Sequence, residues 1–241
     1  MWFEDWEQNM IRTWVASIVP LYDESYYDLC YRQAPGFRRE KAAPLRGKQA
    51  RAQSIGVWTL YERMKKEYGI PEDAAYNFSH SGDYVLCSVY MGQAKGQIRV
   101  GCDIEQMGRA DLKIARRFFC PAEYGRIAGG EDAARQGELF YRYWVLKESF
   151  LKATREGLSL GMDTFEIELG SPPVLVRQPE HFQETYYYME AVLREGQLAG
   201  NDAEGECMVR KGAGKEELKD MYRIAVCSTD ASIDRIIQVR L

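Results

Sequence analysis

Histidine is scarce in this chain, with only two in 241 residues, and the cysteines do not follow a metal-binding or disulfide motif. The six cysteines lack a CxxC pair and most have apolar neighbours, so we predict reduced, buried thiols, with no disulfide framework and no zinc site. No apolar run is long enough to cross a bilayer, and the acidic start Met1–Glu7 lacks the basic flank of a signal peptide. These absences predict a cytoplasmic protein with no membrane partner.

Several catalytic motifs are also missing. The chain has no GxxxxGK[ST] loop, no GxGxxG after a strand, no HExxH and no GxSxG, so the usual markers of P-loop, Rossmann, zincin and α/β-hydrolase chemistry are absent. A net charge of -4 gives no general attraction to nucleic acid, and no nucleic-acid partner is predicted. Hydrophobic residues at 46% and charged residues at 28% are ordinary for a folded soluble protein.

The hydrophobic pattern predicts helices and strands in both parts of the chain. Strands are expected at residues 13–18, 76–80, 84–90, 97–105, 164–169, 184–193 and 222–228. Helices are expected after Pro20 and over residues 46–66, 110–119 and 138–155, and residues 194–215 are expected to form a loop or hairpin tip. Each half then has a helix against a few strands, which predicts an α+β (or α/β) pseudo-repeat with halves 1–96 and 97–241.

The most informative stretch is Gly101-Cys102-Asp103-Ile104-Glu105 at the end of a predicted strand. Side chains two residues apart share one face of a strand, so Asp103 and Glu105 project together and repel unless a cation neutralises them. Two solvated acids at an exposed strand end are the alternative.

A second charged stretch lies on a predicted helix, where Trp144, Glu148 and Lys152 are spaced four apart and share one face. Glu148 and Lys152 could be an ordinary surface ion pair. The aromatic surroundings favour burial instead, and a buried charge usually has a partner or a function. A hard divalent ion held by these carboxylates would also attract phosphate.

Two further stretches could contact phosphate. Ser79 and His80 precede the turn glycine Gly82, although a lone histidine is more often structural. The basic stretch 38–51 is either a phosphate site or a solvated face.

The order of these motifs resembles the 4′-phosphopantetheinyl transferases, above all the surfactin-synthetase-activating (Sfp-like) group. A strand ending in G-x-D-x-E is followed, roughly forty residues later, by W-x-x-K-E-S-x-x-K. Further agreement lies at Asn77–Gly82, Ala115–Phe119, Gly157–Leu160 and Tyr222–Cys227.

The resemblance implies a monomer of two similar halves, each a helix packed on a small, mostly antiparallel sheet. It implies transfer of the phosphopantetheine arm of coenzyme A to a serine of an apo acyl or peptidyl carrier protein, with release of 3′,5′-ADP. Asp103, Glu105 and Glu148 would then bind Mg²⁺. Glu148, or a water held by the metal, would take the proton of the serine.

The resemblance also assigns the donor-binding residues. Lys152 would hold the diphosphate and offset charge on the departing ADP, and Ser79, His80 and Asp103 would lie at the phosphates. Three residues, Arg38, Lys41 and Ser54, fall where the family binds the 3′-phosphate region.

The chain departs from the family at Ile70, where a lysine often precedes the proline, and at Arg38, which replaces a common lysine. A basic and apolar docking surface for an acidic carrier is expected around Arg116, Arg117 and Phe118. Two other hypotheses stay open: a non-catalytic coenzyme A binding protein of the same fold, and a structural protein whose charges form surface ion pairs only.

Overall fold

The computed structural model describes residues 10–92, 98–199 and 215–241. Within these ranges the α-helices are α1 Glu24–Gln33, α2 Gly36–Ala42, α3 Lys48–Tyr68, α4 Leu112–Phe118, α5 Pro121–Ala128, α6 Ala133–Thr154 and α7 Lys215–Lys219. The strands are β1 Ile11–Ser17, β2 Tyr76–Ser81, β3 Tyr84–Tyr90, β4 Val100–Gln106, β5 Glu166–Glu168, β6 Val174–Arg177, β7 Tyr187–Arg194, β8 Gln197–Ala199, β9 Met221–Ser228 and β10 Ile237–Val239. The predicted α+β fold class is confirmed.

Two four-stranded sheets organise the molecule, in the orders β10-β1-β3-β2 and β4-β9-β7-β8. All their pairings are antiparallel except that of β10 with β1, which is parallel. Helix α3 covers the first sheet with a stripe of fully buried side chains that includes Ile55, Leu60 and Met64. Helix α6 covers the second sheet in the same way. Strands β5 and β6 form a separate small hairpin sheet.

The two sheets meet at their edges. Strands β2 and β4 are each the last strand of their sheet, and side chains of β2 bond to the backbone of β4. Buried residues of both sheets, among them Leu86 and Ile104, share one hydrophobic cluster. The halves therefore have a packed junction, and β2 and β4 face each other across it.

Gly101 explains how closely β4 approaches α6. A Cβ at this position would lie 2.0 Å from the carbonyl oxygen of Ser149 and 2.4 Å from the backbone nitrogen of Ala153. Only glycine permits that approach, because it has no side chain. The contact brings the start of β4, just before Asp103, beside the second half of α6, which carries the charged motif.

Helix α6 is tied to its surroundings by a buried ion pair that the sequence analysis did not identify. Lys147 is fully buried, and its Nζ lies 2.9 Å from Oε2 of Glu123 on α5 and 2.7 Å from the carbonyl oxygens of Met162 and Phe165. Glu123 in turn accepts from the backbone of Cys120 and Ile167. These bonds fix the helix one residue before Glu148.

Most predicted elements are found with shifted ends. The helix expected over 138–155 begins five residues earlier, at Ala133, because Asp132 caps it by accepting from the backbone nitrogen of Arg135 at 2.8 Å. The basic residues after Phe37 form a helix, α2, which was not predicted. Arg194 ends β7, residues 195–196 form a turn and residues 197–199 form β8, as expected for a hairpin tip, and residues 200–214 lie outside the described ranges.

Three further predictions concern the boundary between the halves, the state of the cysteines and the lack of membrane-spanning helices. The boundary at 96/97 stays a prediction, and β10, from the far end of the chain, belongs to the first sheet. The five cysteines within the described ranges are buried free thiols, as predicted, whereas Cys207 lies outside those ranges. No helix in the described residues has the length and apolarity needed to span a membrane.

Candidate functional site

A cleft of about 280 Å³ lies where β2, β4 and α6 meet. It is lined by Phe78, Ser79, His80, Asp103, Glu105, Trp144, Glu148 and Lys152. The structure therefore brings together the two charged motifs, which lie about forty residues apart in the chain. The shared face of Trp144, Glu148 and Lys152 on α6 is the face turned to this cleft.

Lys152 pairs with Asp103, which corrects the alternative of a surface pair with Glu148. The Nζ of Lys152 lies 2.7 Å from Oδ1 of Asp103 and also donates to Oγ of Ser79 at 2.9 Å and to the carbonyl oxygen of Cys102 at 3.2 Å. Burial is the largest single effect and lowers the pKa of Lys152, but the charge and hydrogen bond of Asp103, together with Cys102 and Glu148, raise the pKa overall. The lysine is therefore a fixed cation at neutral pH.

The three carboxylates disfavour one another's ionisation. Burial and then the charge of Asp103 raise the pKa of Glu105 to about 7, and the same two causes raise the pKa of Glu148. Burial raises the pKa of Asp103 as well, against the lowering effect of Lys152. Such a cluster holds excess negative charge that a bound cation would relieve.

The donor set fits a hard cation, although no metal site is formed in this arrangement. Oδ2 of Asp103 is buried and has no hydrogen-bond partner, which is unusual for a carboxylate oxygen and leaves it free as a ligand. Across residues 10–92, 98–199 and 215–241, no three acidic, histidine or cysteine side chains are close enough to hold a metal. Asp103 faces Lys152 and Ser79 instead, so the predicted Mg²⁺ site stays a prediction.

A second cavity, of about 310 Å³, lies against the first and shares Phe78 and His80 with it. Its remaining lining is Arg38, Lys41, Leu45, Ala50, Gln53, Ser54 and Val57. The guanidinium of Arg38 is 5.5 Å from the ring centre of Trp58 and 5.7 Å from that of Phe78. Arg38 and Lys41 of the basic stretch thus line one cavity together with the predicted residues Ser54 and His80.

Arg38 has no anionic partner in the described part of the chain. The residue is 8% exposed, its Nε has no hydrogen-bond partner, and burial lowers its pKa. Oγ of Ser54, which lines the same cavity, is also buried without a partner. A buried cation and a buried hydroxyl left unpaired cost folding free energy, which an anionic ligand would recover.

His80 and Ser79 differ in what they can offer a ligand. His80 lies on β2 and is partly accessible to solvent. Its pKa is lowered, first by burial and then by the charge of Lys152, so the imidazole is neutral at neutral pH. Ser79 is buried and donates its only proton to Oδ1 of Asp103 at 2.7 Å. The predicted contact of Ser79 with phosphate would require that hydrogen bond to be exchanged.

The remaining predicted positions lie outside these cavities. Ile70 is buried in the core of the first half. Arg116, Arg117 and Phe118 are exposed on α4, with Arg117 over the ring of Phe118. Lys147 and Ser81 were not predicted as important residues from the sequence. The signal for Ser81 was the alternation of Asn77, Ser79 and Ser81 along one face of a strand.

Comparisons with known proteins support the interpretation of the motifs. Residues 99–199 match the family model of the 4′-phosphopantetheinyl transferase superfamily. The 4′-phosphopantetheinyl transferase Sfp of Bacillus subtilis (strain 168) is 39% identical over 109 residues, which are 43% of this chain and 46% of that protein. The 4′-phosphopantetheinyl transferase gsp of Aneurinibacillus migulanus is 31% identical over 133 residues, 49% of this chain and 53% of that protein.

A relative from an animal is similar over the same extent. The L-aminoadipate-semialdehyde dehydrogenase-phosphopantetheinyl transferase of Pongo abelii is 32% identical over 122 residues, which are 48% of this chain and 37% of that protein. The chain spans about half the length of the curated relatives that it matches. The matched region 99–199 contains Asp103, Glu105, Glu148 and Lys152, whereas Arg38 and His80 precede it. The similarity to the 4′-phosphopantetheinyl transferase superfamily, and within it to Sfp-like transferases, is therefore confirmed, and the family model matches residues 99–199.

Proposed function

We propose that the chain transfers the 4′-phosphopantetheine group of coenzyme A to a serine of an apo acyl or peptidyl carrier protein and releases 3′,5′-ADP. The observation that carries the proposal is the pair of adjoining cavities. One contains the unpaired cation Arg38, and the other contains three carboxylates beside Lys152. A long donor with phosphates at two points, one of them bound through a metal ion, matches this division of charge.

Donor binding is assigned to residues of the first half. Arg38, Lys41 and Ser54 would bind the 3′-phosphate region, because the buried guanidinium and hydroxyl lack partners and Lys41 adds a second cation. His80 lines both cavities and would donate one N–H to a phosphate between them.

The reaction is assigned to the cleft. Mg²⁺ bound by Asp103, Glu105 and Glu148 would offset charge on the diphosphate of the donor. Glu148, whose pKa is raised, would accept the proton of the incoming serine hydroxyl, which is a poor nucleophile until it loses that proton. Lys152, whose position is fixed by its ion pair with Asp103, would stabilise the negative charge that develops on the leaving 3′,5′-ADP.

The carrier protein is assigned to the exposed surface on α4. Arg116 and Arg117 supply positive charge and Phe118, 37% exposed, supplies an apolar contact, which together suit an acidic carrier helix. A monomeric state and a cytoplasmic location belong to the same proposal.

The proposal is tested by incubating the protein with a fluorescent coenzyme A, Mg²⁺ and a panel of apo carrier proteins. We expect Mg²⁺-dependent labelling of at least one carrier at its serine, and loss of labelling by about a hundredfold or more with Glu148→Gln. Glu156→Gln, which changes an exposed glutamate just after α6, is the matched control and should label normally. Normal transfer by Glu148→Gln would remove Glu148 from its assigned role.

A non-catalytic coenzyme A binding protein is the second candidate. The unpaired Arg38 and Ser54 favour ligand binding on their own, without any reaction. Binding of coenzyme A without labelling of any carrier in the panel would favour this alternative. Thermal stability unchanged by coenzyme A and Mg²⁺ together would argue against both candidates and for a structural protein.

A further inference from the structure

Side chains of β2 take the place of a neighbouring strand's backbone along β4. Three amides of β4 donate to side-chain oxygens of β2, in the pairs Cys102–Asn77 (3.1 Å), Ile104–Ser79 (3.4 Å) and Gln106–Ser81 (3.0 Å). Both members advance by two residues at each step, so the three side chains share one face of β2 and the three N–H groups lie along one edge of β4. The three bonds form a ladder between the two sheets, which we call the side-chain ladder.

The side-chain ladder provides hydrogen-bond acceptors for backbone N–H groups on the free edge of β4. Strand β4 pairs with β9 on one side only, which leaves alternate N–H groups pointing away from the sheet. A buried N–H without a partner costs free energy, and an exposed edge invites pairing with other chains. The oxygens of Asn77, Ser79 and Ser81 accept from these groups and join the two halves.

The hydroxyls of the two serines donate hydrogen bonds as well as accept them. A hydroxyl that accepts a hydrogen bond still has one proton to donate. Ser79 donates to Oδ1 of Asp103 at 2.7 Å, and Ser81 donates to Oε2 of Glu105 at 2.8 Å. Each serine therefore connects a carboxylate of β4 to the backbone N–H of the next residue.

The residue type at each step on β2 depends on whether the neighbouring residue of β4 carries a carboxylate. At the first step of the ladder the acceptor is Asn77, and the residue of β4 on the cleft face at that level is Gly101, which has no side chain to orient. Serine occurs at the two steps where a carboxylate must be held. This match of donor to carboxylate is not needed for joining the sheets and points to a second purpose.

We infer that Ser81 is a positioning residue that holds the carboxylate of Glu105 toward the cleft, as Ser79 holds Asp103. The inference rests on the proposed function for the purpose of that orientation, because Glu105 would be a ligand of the metal. Hydrogen bonds to ligating carboxylates preorganise such sites and increase their affinity.

The turn after Ser81 is built to keep the hydroxyl in place. Gly82 has a φ of +50°, and a Cβ there would lie 2.3 Å from the hydroxyl oxygen of Tyr222 on β9. Gln53 of α3 donates to the carbonyl oxygen of Gly82 at 2.8 Å, and Asp83 is bonded by Tyr22 and Gln49. The end of β2 is thus held from both halves.

The ladder is tested by Ser81→Ala, with hydrogen exchange of single backbone amides as the first readout. We expect the amide of Gln106 to exchange about tenfold faster, because its acceptor is lost, while the amide of Ile104 keeps its rate. The second readout is binding of Mn²⁺ to the protein with coenzyme A, which should weaken roughly tenfold or more. Ser81→Thr keeps the hydroxyl and should restore both values.

Thr13→Val is the matched control, because it removes a buried hydroxyl of the same sheet that bonds to Ser88 and to no carboxylate. It should change neither readout. An unchanged Gln106 amide, or equal loss of Mn²⁺ binding in Ser81→Ala and Ser81→Thr, would overturn the inference. If the unmodified protein labels no carrier while both readouts behave as expected, the proposed function fails and the ladder stands.

Discussion

At the scale of single residues, the arrangement around Arg38 is costly for the free protein. Arg38 is 8% exposed, its guanidinium lies near two aromatic rings, and no carboxylate of the described residues offsets its charge. Proteins seldom keep such a group unless a ligand completes it. From the sequence, the basic stretch was either a phosphate site or a solvated face. Arg46, Lys48 and Arg51 are exposed, as on a solvated face, whereas Arg38 is buried on helix α2, which was not predicted.

We predict that Arg38→Met separates stability from binding. The methionine keeps apolar contact with Trp58 and Phe78, and removing an unpaired buried charge should leave the free energy of unfolding unchanged or raise it by about 1 kcal/mol. Affinity for coenzyme A should fall about tenfold or more. Chemical denaturation and calorimetric titration measure the two effects.

The control for this substitution is Arg46→Met, which changes an exposed arginine of the same stretch. Dephospho-coenzyme A, which lacks the 3′-phosphate, should bind the Arg38 variant and the unmodified protein equally. An equal loss of affinity for both ligands would contradict the assignment of Arg38 to the 3′-phosphate.

The carboxylate cluster predicts a pH dependence of stability. The pKa of Glu105 is raised to about 7, so the folded protein binds its proton more tightly than the unfolded chain does. This contribution to stability is complete below the unfolded value near 4.5 and is lost as pH rises through about 7. The free energy of unfolding should therefore fall between pH 5 and 8, by at most about 3 kcal/mol from this group.

Urea unfolding at several pH values checks this expectation. Glu105→Gln should remove the part of the slope that belongs to Glu105. Addition of Mg²⁺ and coenzyme A should flatten the slope, because a cation favours the ionised carboxylates. A stability of the unmodified protein that rises steadily from pH 5 to 8 would contradict the raised pKa.

At the scale of elements, the site depends on how β4 meets α6. The two-residue spacing on β4 and the four-residue spacing on α6 predicted which side chains share a face of each element. Both of these faces line the cleft, as expected. The sequence did not reveal what sets their distance, since the close approach at Gly101 depends on the backbone of α6 across from it. The pairing of Lys152 with Asp103 was missed for the same reason, because residue spacing suggests only local partners.

We predict that Gly101→Ala destabilises the protein by about 3 kcal/mol or more, because the added methyl group meets the backbone of α6 at Ser149 and Ala153. Backbone atoms cannot rotate away as a side chain can. Thermal and urea unfolding measure the loss. Gly36→Ala is the matched control, since a Cβ on this first residue of α2 meets nothing within 4 Å, and it should be neutral or slightly stabilising. Equal stability of the two variants would show that β4 and α6 are less closely packed than described.

At the scale of the whole molecule, the fold class and the pair of sheets were predictable, whereas the connection between the halves was not. Short strands such as β10 carry little pattern, and nothing in Ile237–Val239 indicates that it pairs in parallel with β1 at the other end of the chain. Strands β2 and β4 are joined by side-chain hydrogen bonds. Such contacts produce no periodic hydrophobic pattern from which the junction could be predicted. The cleft lies at this junction, so residues from both halves complete it.

The central claim is that carboxylates from β4 and α6 bind one divalent cation next to the donor. The most direct measurement is an anomalous difference map from crystals grown with Mn²⁺ and coenzyme A. The account predicts one strong peak within ligand distance of Asp103, Glu105 and Glu148, with the diphosphate of the donor beside it and its 3′-phosphate at Arg38. Clear density for the donor with no manganese peak at these three side chains, or with the peak elsewhere, would contradict it.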